Sequence, residues 1–201
     1  GDLKCWGRDN YGQLGDGGNY NQTGGVTDTN APPSTAIDLG TNRTAIAVSA
    51  GKETSCAILD NGDLKCWGRD FYGQLGDGAT YNAYSNAPPS TAIDLGTNRT
   101  AIAVSAGKET SCAILDNGDL KCWGRDFYGQ LGDGATYNAY SNAPPSTAID
   151  LGTNRTAVAV SAGNHHTCAI LDNGDLKCWG WDAHGQLGDG GSNTNINAPS
   201  S

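Results

Sequence analysis

One stretch decides the fold: Thr54-Ser55-Cys56-Ala57-Ile58-Leu59-Asp60-Asn61-Gly62-Asp63-Leu64-Lys65-Cys66-Trp67-Gly68. Apolar residues alternate with small or polar ones on both sides of Asp60-Asn61-Gly62, which is typical of two strands joined by a tight turn. A three-residue loop with Gly in the left-handed conformation would set Cys56 opposite Cys66 on one face. Directly opposed Cβ atoms lie about 4.5 to 5.5 Å apart, which is close to what a disulfide needs. The stretch therefore predicts a β-hairpin closed by its own disulfide.

One alternative for this turn stays open. A strict two-residue turn at Asn61-Gly62 would place the two thiols on opposite faces of the hairpin. The three-residue loop instead pairs Leu59 with Asp63. The disulfide within the hairpin is thus predicted only together with that loop.

The hairpin belongs to a tandem repeat. Copies of it lie at 110–124 and 166–180, and its second arm also opens the chain. Aligning the copies on Gly-Asp-Leu-Lys-Cys-Trp-Gly divides the chain into units 1–61, 62–117, 118–173 and the partial unit 174–201. The first unit lacks one hairpin arm and has a longer loop at 18–30, whereas the second and third differ at only five positions. Repeat units bury their apolar faces on one another, so a hydrophobic content of 37% is sufficient for folding.

Seven cysteines indicate both pairing and compartment. Their spacing of ten predicts a disulfide in each hairpin, namely Cys56–Cys66, Cys112–Cys122 and Cys168–Cys178. Cys5 then stays unpaired here, with its partner expected ten residues before it. The rival scheme joins neighbouring hairpins as Cys5–Cys56, Cys66–Cys112 and Cys122–Cys168 and leaves Cys178 alone. A third alternative is a cytosolic repeat with reduced thiols. Because the spacing fits neither a zinc ribbon nor a redox Cys-x-x-Cys motif, we expect a secreted or cell-surface protein.

Composition excludes several classes of partner. The formal net charge is −9, with no cluster of Lys and Arg, which disfavours binding to nucleic acid and to anionic membranes. There is no apolar run of the roughly 20 residues that a membrane span requires. We therefore expect protein partners, including other copies of the chain, and no membrane span.

Each unit contains four strand candidates. They are Ala92–Leu95, Ala101–Ala106 and the two arms of the hairpin. The turn-rich segments 73–78 and 81–89 lack strand periodicity and are predicted to be surface loops. An all-β fold of short sheets follows from this pattern.

The order of motifs within each unit resembles that of a known family. The order of a hairpin with Asp-Asn-Gly at its tip, Cys-Trp-Gly, Tyr-Gly-Gln-Leu-Gly-Asp-Gly and a downstream Pro is similar to the repeat of regulator of chromosome condensation proteins. The resemblance implies an all-β fold of tandem four-stranded blades in a β-propeller, usually of about seven blades. About three and a half repeats cannot close such a ring, so a partial or open propeller, cut from a longer chain, is expected. The cysteine pairs are similar to those of secreted bacterial relatives, and the founding member's nucleotide exchange on chromatin is not carried over.

No constellation with catalytic or metal-binding spacing stands out. All three histidines, His165, His166 and His184, lie in the last copy and are interpreted as surface substitutions rather than ligands. The Asp60-Asn61-Gly62-Asp63 tip lacks the residues that complete a calcium loop. We therefore predict no catalytic residues, no metal and no cofactor. The tryptophans of Cys-Trp-Gly, which are Trp6, Trp67, Trp123 and Trp179, are interpreted as packing residues.

Two sets of loop residues are candidates for surface functions. Asn-x-Ser/Thr sequons are candidate glycosylation sites, although ordinary turn residues explain them equally well: Asn21, Asn42, Asn98 and Asn154. Tyrosines among Asn, Ser and Thr in the predicted loops are candidate interface anchors: Tyr81, Tyr84, Tyr137 and Tyr140.

The near identity of the units favours one function over the others. Copied units present the same surface at regular intervals, which suits a lattice or a filament. The leading hypothesis is a non-enzymatic extracellular structural protein that assembles through its repeated sheets. The alternative is a closed propeller that binds a protein, as an adhesin or a secreted enzyme inhibitor resembling the bacterial β-lactamase inhibitor of this family. An enzyme has no residue-level support.

Overall fold

The computed structural model describes residues 1–18, 29–79, 83–135, 139–191 and 194–199. Within these ranges the chain forms β-strands and turns, and no helix. The strands are β1 (Ala45–Ala50), β2 (Thr54–Leu59), β3 (Leu64–Asp70), β4 (Ala83–Ser85), β5 (Ala101–Ala106), β6 (Thr110–Leu115), β7 (Leu120–Asp126), β8 (Ala139–Ser141), β9 (Ala157–Ala162), β10 (His166–Leu171) and β11 (Leu176–Gly180).

The strands form three antiparallel sheets, each made from the end of one unit and the start of the next. Two of them have four strands in chain order, β1 to β4 and β5 to β8, and the third contains β9, β10 and β11. An isolated bridge between Gly180 and Ile196 occupies the position of a fourth strand in the third sheet. The predicted all-β array of blades is confirmed, and the described sheets form an open array.

The hairpin has the predicted register. Cys56 lies opposite Cys66, and the backbone N–H of Leu59 donates to the Asp63 carbonyl at 2.8 Å. Gly62 has φ of 84°, the left-handed conformation that the three-residue loop requires. Disulfides close all three hairpins with Cα–Cα distances of 4.1 Å, and Cys5 is the one free cysteine among the described residues. The structure thus has the disulfides within hairpins, and neither the pairing between neighbouring hairpins nor the fully reduced form.

One strand prediction and one loop prediction are wrong. Ala92–Leu95 is not a strand, because the N–H of Ile93 donates to the Leu64 carbonyl at 2.8 Å without a continuing ladder. The side chains of Ile93 and Leu95 are buried, so the apolar pattern reflects burial rather than a strand. The fourth strand is instead Ala83–Ser85, inside the segment predicted to be a loop, and it pairs with Gly68–Asp70 of β3. Three residues are too few to show a period of two.

Consecutive sheets pack face to face. One face of β2 and β3, with Ile58 and Leu64, shares a core with the next sheet. That sheet contributes Leu115 and Trp123, and all four side chains are fully buried. The inner strands β1, β5 and β9 also contact one another in order. The sheets therefore fan out from a common axis, as blades of a propeller do.

The turn that follows β3 or β7 accepts hydrogen bonds from the next sheet, and we call this contact the clasp. The Gln74 carbonyl accepts hydrogen bonds from Trp123 Nε1 at 3.1 Å and from Ser111 Oγ at 2.8 Å, both in the following sheet. Asp70 shapes the turn, because its Oδ1 accepts the N–H of Leu75 at 2.8 Å. The Gly-Gln-Leu-Gly motif thus binds the tryptophan of the neighbouring Cys-Trp-Gly motif. Sheets and copied units repeat at the same interval but begin at different residues. The unit that starts at Gly62, for example, begins in the hairpin turn between β2 and β3, inside the first sheet.

Candidate functional site

The array has two edges with different residues. We call the upper edge the one at which β1, β5 and β9 end and β2, β6 and β10 begin. The lower edge is the opposite one, where the Asp-Asn-Gly hairpin turns lie. Loop residues 51–53 and 107–109 bring charged side chains to the upper edge, and the ends of β3 and β7 lie beside them.

A buried ion pair flanked by aromatic rings forms at the upper edge of the first sheet. Glu53 is 7% exposed, and its carboxylate pairs with the guanidinium of Arg69 at 2.5 Å. The Arg69 Cζ lies 4.2 Å from the ring centroid of Phe71 and 5.2 Å from that of Tyr11, which belongs to the preceding unit. A guanidinium between two aromatic faces is held by cation–π attraction as well as by its carboxylate. The cluster therefore joins two consecutive units.

The second sheet repeats this cluster. Arg125 pairs with Glu109, and its Cζ lies 4.3 Å from the Phe127 ring and 5.2 Å from the Tyr72 ring of the preceding unit. The Tyr72 and Phe127 rings meet edge to face at 5.9 Å. The arrangement is thus a periodic feature of the upper edge.

The third sheet replaces the ion pair with an aromatic cluster. Trp181 stands where the sister units have Arg, and His165 stands where they have Glu. The Trp181 ring centroid lies 5.7 Å from that of His165, 5.1 Å from that of His184 and 5.8 Å from that of Tyr128. We call these four residues the Trp181 cluster. It has no counterpart elsewhere in the described residues.

The Trp181 cluster lies beside cations. His165 Nε2 is 3.5 Å from Lys108 Nζ, and Nδ1 of the same ring is buried without a hydrogen-bond partner. Burial, together with the positive charges of Lys108 and Arg125, lowers the pKa of His165. The lowered pKa favours the neutral imidazole, and the tautomer protonated on Nδ1 can accept a hydrogen bond from the Lys108 ammonium at Nε2.

Differences between the copied units concentrate at the upper edge. Outside the loops 18–30, 79–86, 135–142 and 191–197, the aligned units differ in the described chain only at Asn10, Val158, Asn164, His165, His166, Thr167, Trp181, Ala183 and His184. All of these except Val158 lie at the upper edge. The substitution at Thr167 keeps the clasp, because its Oγ1 still donates to the Gln130 carbonyl at 2.9 Å. Variation thus changes the exposed chemistry and leaves the packing intact.

The lower edge is the same from unit to unit except that Val158 stands where the sister units have Ile. An ion pair recurs there in each sheet, at 3.4 Å between Arg43 and Asp60 and at similar distances for Arg99–Asp116 and Arg155–Asp172. The candidate glycosylation sites Asn42, Asn98 and Asn154 lie in the same turns, exposed and with φ of 57° to 58°. Asn tolerates this left-handed conformation better than most residues, so a turn role accounts for it without a glycan.

The other candidates from the sequence fall in different places. Tyr84 and Tyr140 lie on the short outer strands β4 and β8, and Tyr140 is 41% exposed. Tyr81, Tyr137 and the sequon at Asn21 lie outside the described residues. Trp67, Trp123 and Trp179 are buried in the core as packing residues, whereas Trp6 is 55% exposed.

The described residues do not assemble a metal or catalytic centre. No group of three or more His, Cys, Asp or Glu side chains in the described ranges is placed to hold a metal ion. In the same ranges no helix is long and apolar enough to cross a membrane. Burial raises the pKa of Asp70 and of Asp126 to about 7, but each carboxyl shapes a Gly-Gln-Leu-Gly turn. Those carboxyls therefore have a structural explanation.

Sequence reasoning missed the clusters at the upper edge. Glu109 and Arg125 are 16 residues apart, and only the pairing of β6 with β7 brings them together. One signal was present in the sequence: Glu109 and Arg125 are both replaced in the last sheet, by His165 and Trp181, among the few positions at which the copies differ. Joint replacement indicates contact.

Comparison with known proteins agrees with this architecture. Two models of the regulator of chromosome condensation (RCC1) repeat match the chain, one at residues 45–74, 101–130 and 157–186 and the other at 1–58 and 117–170. The ultraviolet-B receptor UVR8 of Arabidopsis thaliana is 30% identical over 190 residues, which are 94% of this chain and 39% of that protein. The human E3 ubiquitin-protein ligase HERC2 is 28% identical over 195 residues, 97% of this chain and 4% of that protein. The chain thus spans well under half the length of these relatives.

Solved structures show the same fold. The crystal structure of Prp20p from Saccharomyces cerevisiae, described together with its binding to Gsp1p and histones, superposes with a TM-score of 0.78. The sequence identity is 21%, and the match covers 97% of this chain and 44% of that one. Yeast RCC1 (Prp20) bound to Kap60 gives a TM-score of 0.77 at 22% identity, covering 97% of this chain and 43% of that one. At this identity the likeness shows the fold alone.

Proposed function

Because this chain belongs to the regulator of chromosome condensation repeat family, we propose that it is a non-enzymatic protein-binding module whose upper edge contacts the partner. One observation carries the proposal: outside the four loops 18–30, 79–86, 135–142 and 191–197, units that are otherwise copied differ almost entirely at this edge. A surface that binds one partner needs different side chains on different blades. The lower edge, with its identical ion pairs, offers no such distinction.

The chemistry of the upper edge suits a protein interface. Trp, Tyr and Arg are the residues that most often dominate binding free energy at such interfaces. The Trp181 cluster supplies an indole, a phenol and two imidazoles, with Lys108 at its border. Trp181 is half-buried and held on several sides, so it would lose little conformational entropy on binding.

The test replaces residues of the Trp181 cluster with their counterparts in the second sheet. In the triple variant His165→Glu, Trp181→Arg and His184→Tyr, each position receives the residue that the second sheet already packs there. Proteins of the source organism's secreted fraction would be captured on the wild-type chain, and the retained protein titrated against both forms. We expect the triple variant to bind at least about tenfold more weakly, the loss of one hot-spot contact, at an unchanged melting temperature.

A matched control lies at the lower edge of the same sheet. Arg155→Ala removes the ion pair with Asp172 far from the cluster and should leave the affinity unchanged. Equal binding by the triple variant, or a loss of binding in Arg155→Ala alone, would place the interface elsewhere.

Self-assembly through the outer sheets is the second candidate. Ile170 and Leu176 are 43% and 66% exposed on the last sheet, whereas their counterparts Ile58 and Leu64 are buried against the next unit. Val48 is 52% exposed at the other end of the array. We propose that copies can stack end to end through these faces as a structural filament. Sedimentation velocity would show assemblies that Ile170→Lys with Leu176→Lys abolishes; a monomer at all concentrations would exclude stacking.

We also propose a secreted or cell-surface location with sugars on the lower edge. The three disulfides favour an oxidising compartment. The exposed Asn42, Asn98 and Asn154 leave room for glycans opposite to the proposed interface. Peptide mass spectrometry of the natural protein would detect a glycan at each sequon; unmodified Asn at all three would remove the glycan proposal.

A further inference from the structure

Asparagine directly precedes glycine at three places in the chain, and all three are tips of the disulfide-closed hairpins: Asn61-Gly62, Asn117-Gly118 and Asn173-Gly174. The asparagine is exposed at each tip. In such a pair the backbone nitrogen of the glycine can attack the side-chain carbon Cγ of the asparagine, because the glycine has no side chain to hinder the approach. The product is a succinimide ring. The tips thus combine a reactive pair of residues with access for water.

The hydrogen bonds of each tip prepare the asparagine side chain for attack. Asn61 Oδ1 accepts the backbone N–H of Asp63 at 3.2 Å, and Asn61 Nδ2 donates to Asp63 Oδ2 at 2.8 Å. The same two bonds recur in the other tips, at 2.7 to 3.1 Å. An N–H group on Oδ1 draws electron density from Cγ and stabilises the negative charge that Oδ1 gains during attack. The side chain is therefore a prepared electrophile.

The attacking nitrogen is restrained in the same turn. The N–H of Gly62 donates to the Leu59 carbonyl at 2.9 Å, and the N–H groups of Gly118 and Gly174 donate in the same way at 2.9 Å. The Gly62 carbonyl also accepts the N–H of Ala101 in the next sheet at 3.0 Å. The glycine nitrogen must leave its carbonyl partner and turn towards Cγ before it can attack. The loop must therefore open locally before the reaction can occur.

We propose that Asn61, Asn117 and Asn173 are sites of spontaneous deamidation, and that opening of the hairpin loop sets the rate of the reaction. The disulfide behind each loop limits this opening. Cys112–Cys122, for example, ties the two strands together five residues on either side of Asn117. The three sites lie at the lower edge, away from the proposed partner interface, so the inference does not depend on the proposed function.

The reaction needs water as its only co-reactant. The backbone nitrogen of Gly62 loses its proton and forms a bond to Asn61 Cγ. The bond between Cγ and Nδ2 breaks, and Nδ2 takes up the proton and leaves as ammonia. Water then adds to one of the two ring carbonyls, and the bond from that carbonyl to the ring nitrogen breaks. The products are aspartate, which keeps the original backbone, and isoaspartate, whose backbone runs through the side-chain methylene.

Deamidation changes the lower edge of the affected unit. The new carboxylate replaces an amide that donates to Asp63, so two negative charges repel each other where a hydrogen bond lay. It also adds negative charge close to the ion pair of Arg43 and Asp60. Isoaspartate in addition lengthens the three-residue loop by one backbone atom. Because the tips are copies of one another, a long-lived chain gains these changes unit by unit as it ages.

The chain contains its own control for the choice of sites. Asn98 is exposed in a turn at the same edge, but it precedes Arg99, whose side chain hinders the attack. The unglycosylated chain with its disulfides formed would be held at pH 8 and digested, and deamidation at each asparagine followed by mass spectrometry. We expect Asn61 and Asn117 to deamidate at least about tenfold faster than Asn98. Equal rates at the tips and at Asn98 would overturn the assignment of the sites.

A second measurement tests whether loop opening sets the rate. Cys112→Ala with Cys122→Ala removes the disulfide from one hairpin and leaves Cys56–Cys66 in the other. We expect Asn117 to deamidate at least about fivefold faster in this variant, because the missing disulfide favours the open loop, with the rate at Asn61 unchanged. An unchanged rate at Asn117, or an equal acceleration at both tips, would overturn control by the loop. Unfolding the reduced wild-type chain in urea should accelerate both tips, and the absence of any acceleration there would overturn it as well.

Discussion

The indole nitrogen of Trp123 lies so close to Gly76 that a Cβ on this glycine would come within 2.5 Å of it. The same nitrogen donates to the Gln74 carbonyl at 3.1 Å, so the tryptophan fixes the whole turn. Gly76 also has φ of 73°, a conformation that residues with a side chain rarely adopt. The contact between these two residues joins each sheet to the next.

Gly76→Ala should therefore destabilise the array more than an ordinary turn substitution. A side chain would clash with the indole, at a cost of about 1 to 3 kcal/mol for overpacking, and would add about 1 kcal/mol of backbone strain. Gly78→Ala is the matched control, because Gly78 has φ of 75° and a Cβ added there would meet no atom within 4 Å. The midpoints of urea unfolding should fall in the order wild type, Gly78→Ala, Gly76→Ala. Equal midpoints for the two variants would contradict a role for the contact.

The disulfide in each hairpin should contribute measurably to stability. Closing a loop of about ten residues contributes about 2 to 3 kcal/mol by restricting the unfolded chain. Cys112→Ala with Cys122→Ala keeps the buried, apolar character of both sites and should lower the free energy of unfolding by that amount. Urea unfolding would measure it. A reducing agent should lower the wild-type stability and leave this hairpin of the variant unaffected; no effect of reduction on the wild type would refute the contribution.

Stability should fall as the pH rises from about 4 to about 7. Burial raises the pKa of Asp70 and Asp126 to about 7, well above the unfolded value, although the N–H of Leu75 or Leu131 partly opposes the shift. Each folded carboxyl therefore holds its proton where the unfolded one has lost it, and the stabilisation is lost as the pH passes through the folded pKa. The expected change is on the order of 2 kcal/mol per carboxyl.

Unfolding midpoints at pH 5 and pH 8 would measure this dependence. Cys5→Ser is the suitable background, because it prevents thiol exchange at the higher pH. Adding Asp70→Asn and Asp126→Asn should remove most of the decline, since the amide does not titrate. A wild-type stability that increases over this interval would show that the buried carboxyls do not govern it.

His165 and Trp181 should be energetically coupled. Trp181→Arg alone would place a guanidinium near Lys108 and would remove the aromatic partner of His165. His165→Glu alone would bury a carboxylate beside the indole. The double variant recreates the pair formed by Glu109 and Arg125. A double-mutant cycle should give a coupling free energy of about 1 to 3 kcal/mol in favour of the double variant. Additive effects of the two single changes would show that the residues vary independently.

The sequence predicts those parts of the fold that depend on residues close together in the chain. The alternation around Asp60-Asn61-Gly62 is local, so the register, the turn and the position of Cys56 against Cys66 all follow from it. Ala92–Leu95 resembles a strand in sequence because an apolar pattern reports burial and does not distinguish a ladder from a single hydrogen bond. Ala83–Ser85 escapes prediction because a strand this short shows no period.

The candidate site is less predictable than the fold. The histidines of the last copy stand out in the sequence, but their meaning depends on contacts between residues on different strands and in different units. Tyr128 reaches Trp181 of the next unit, and no local pattern encodes that approach. The division of the sheets into a varied edge and an identical edge likewise requires the strand directions.

The clasp between the Gln74 carbonyl and the indole of Trp123 has a consequence for how repeat units can be gained or lost in the gene. Every complete unit carries both a turn for the following unit and a tryptophan for the preceding one, so an in-frame duplication of 56 residues yields a module that already fits both neighbours. Recombination between such units adds or removes whole modules without creating a mismatched junction. Alleles of this gene are therefore expected to differ in length by multiples of 56 codons.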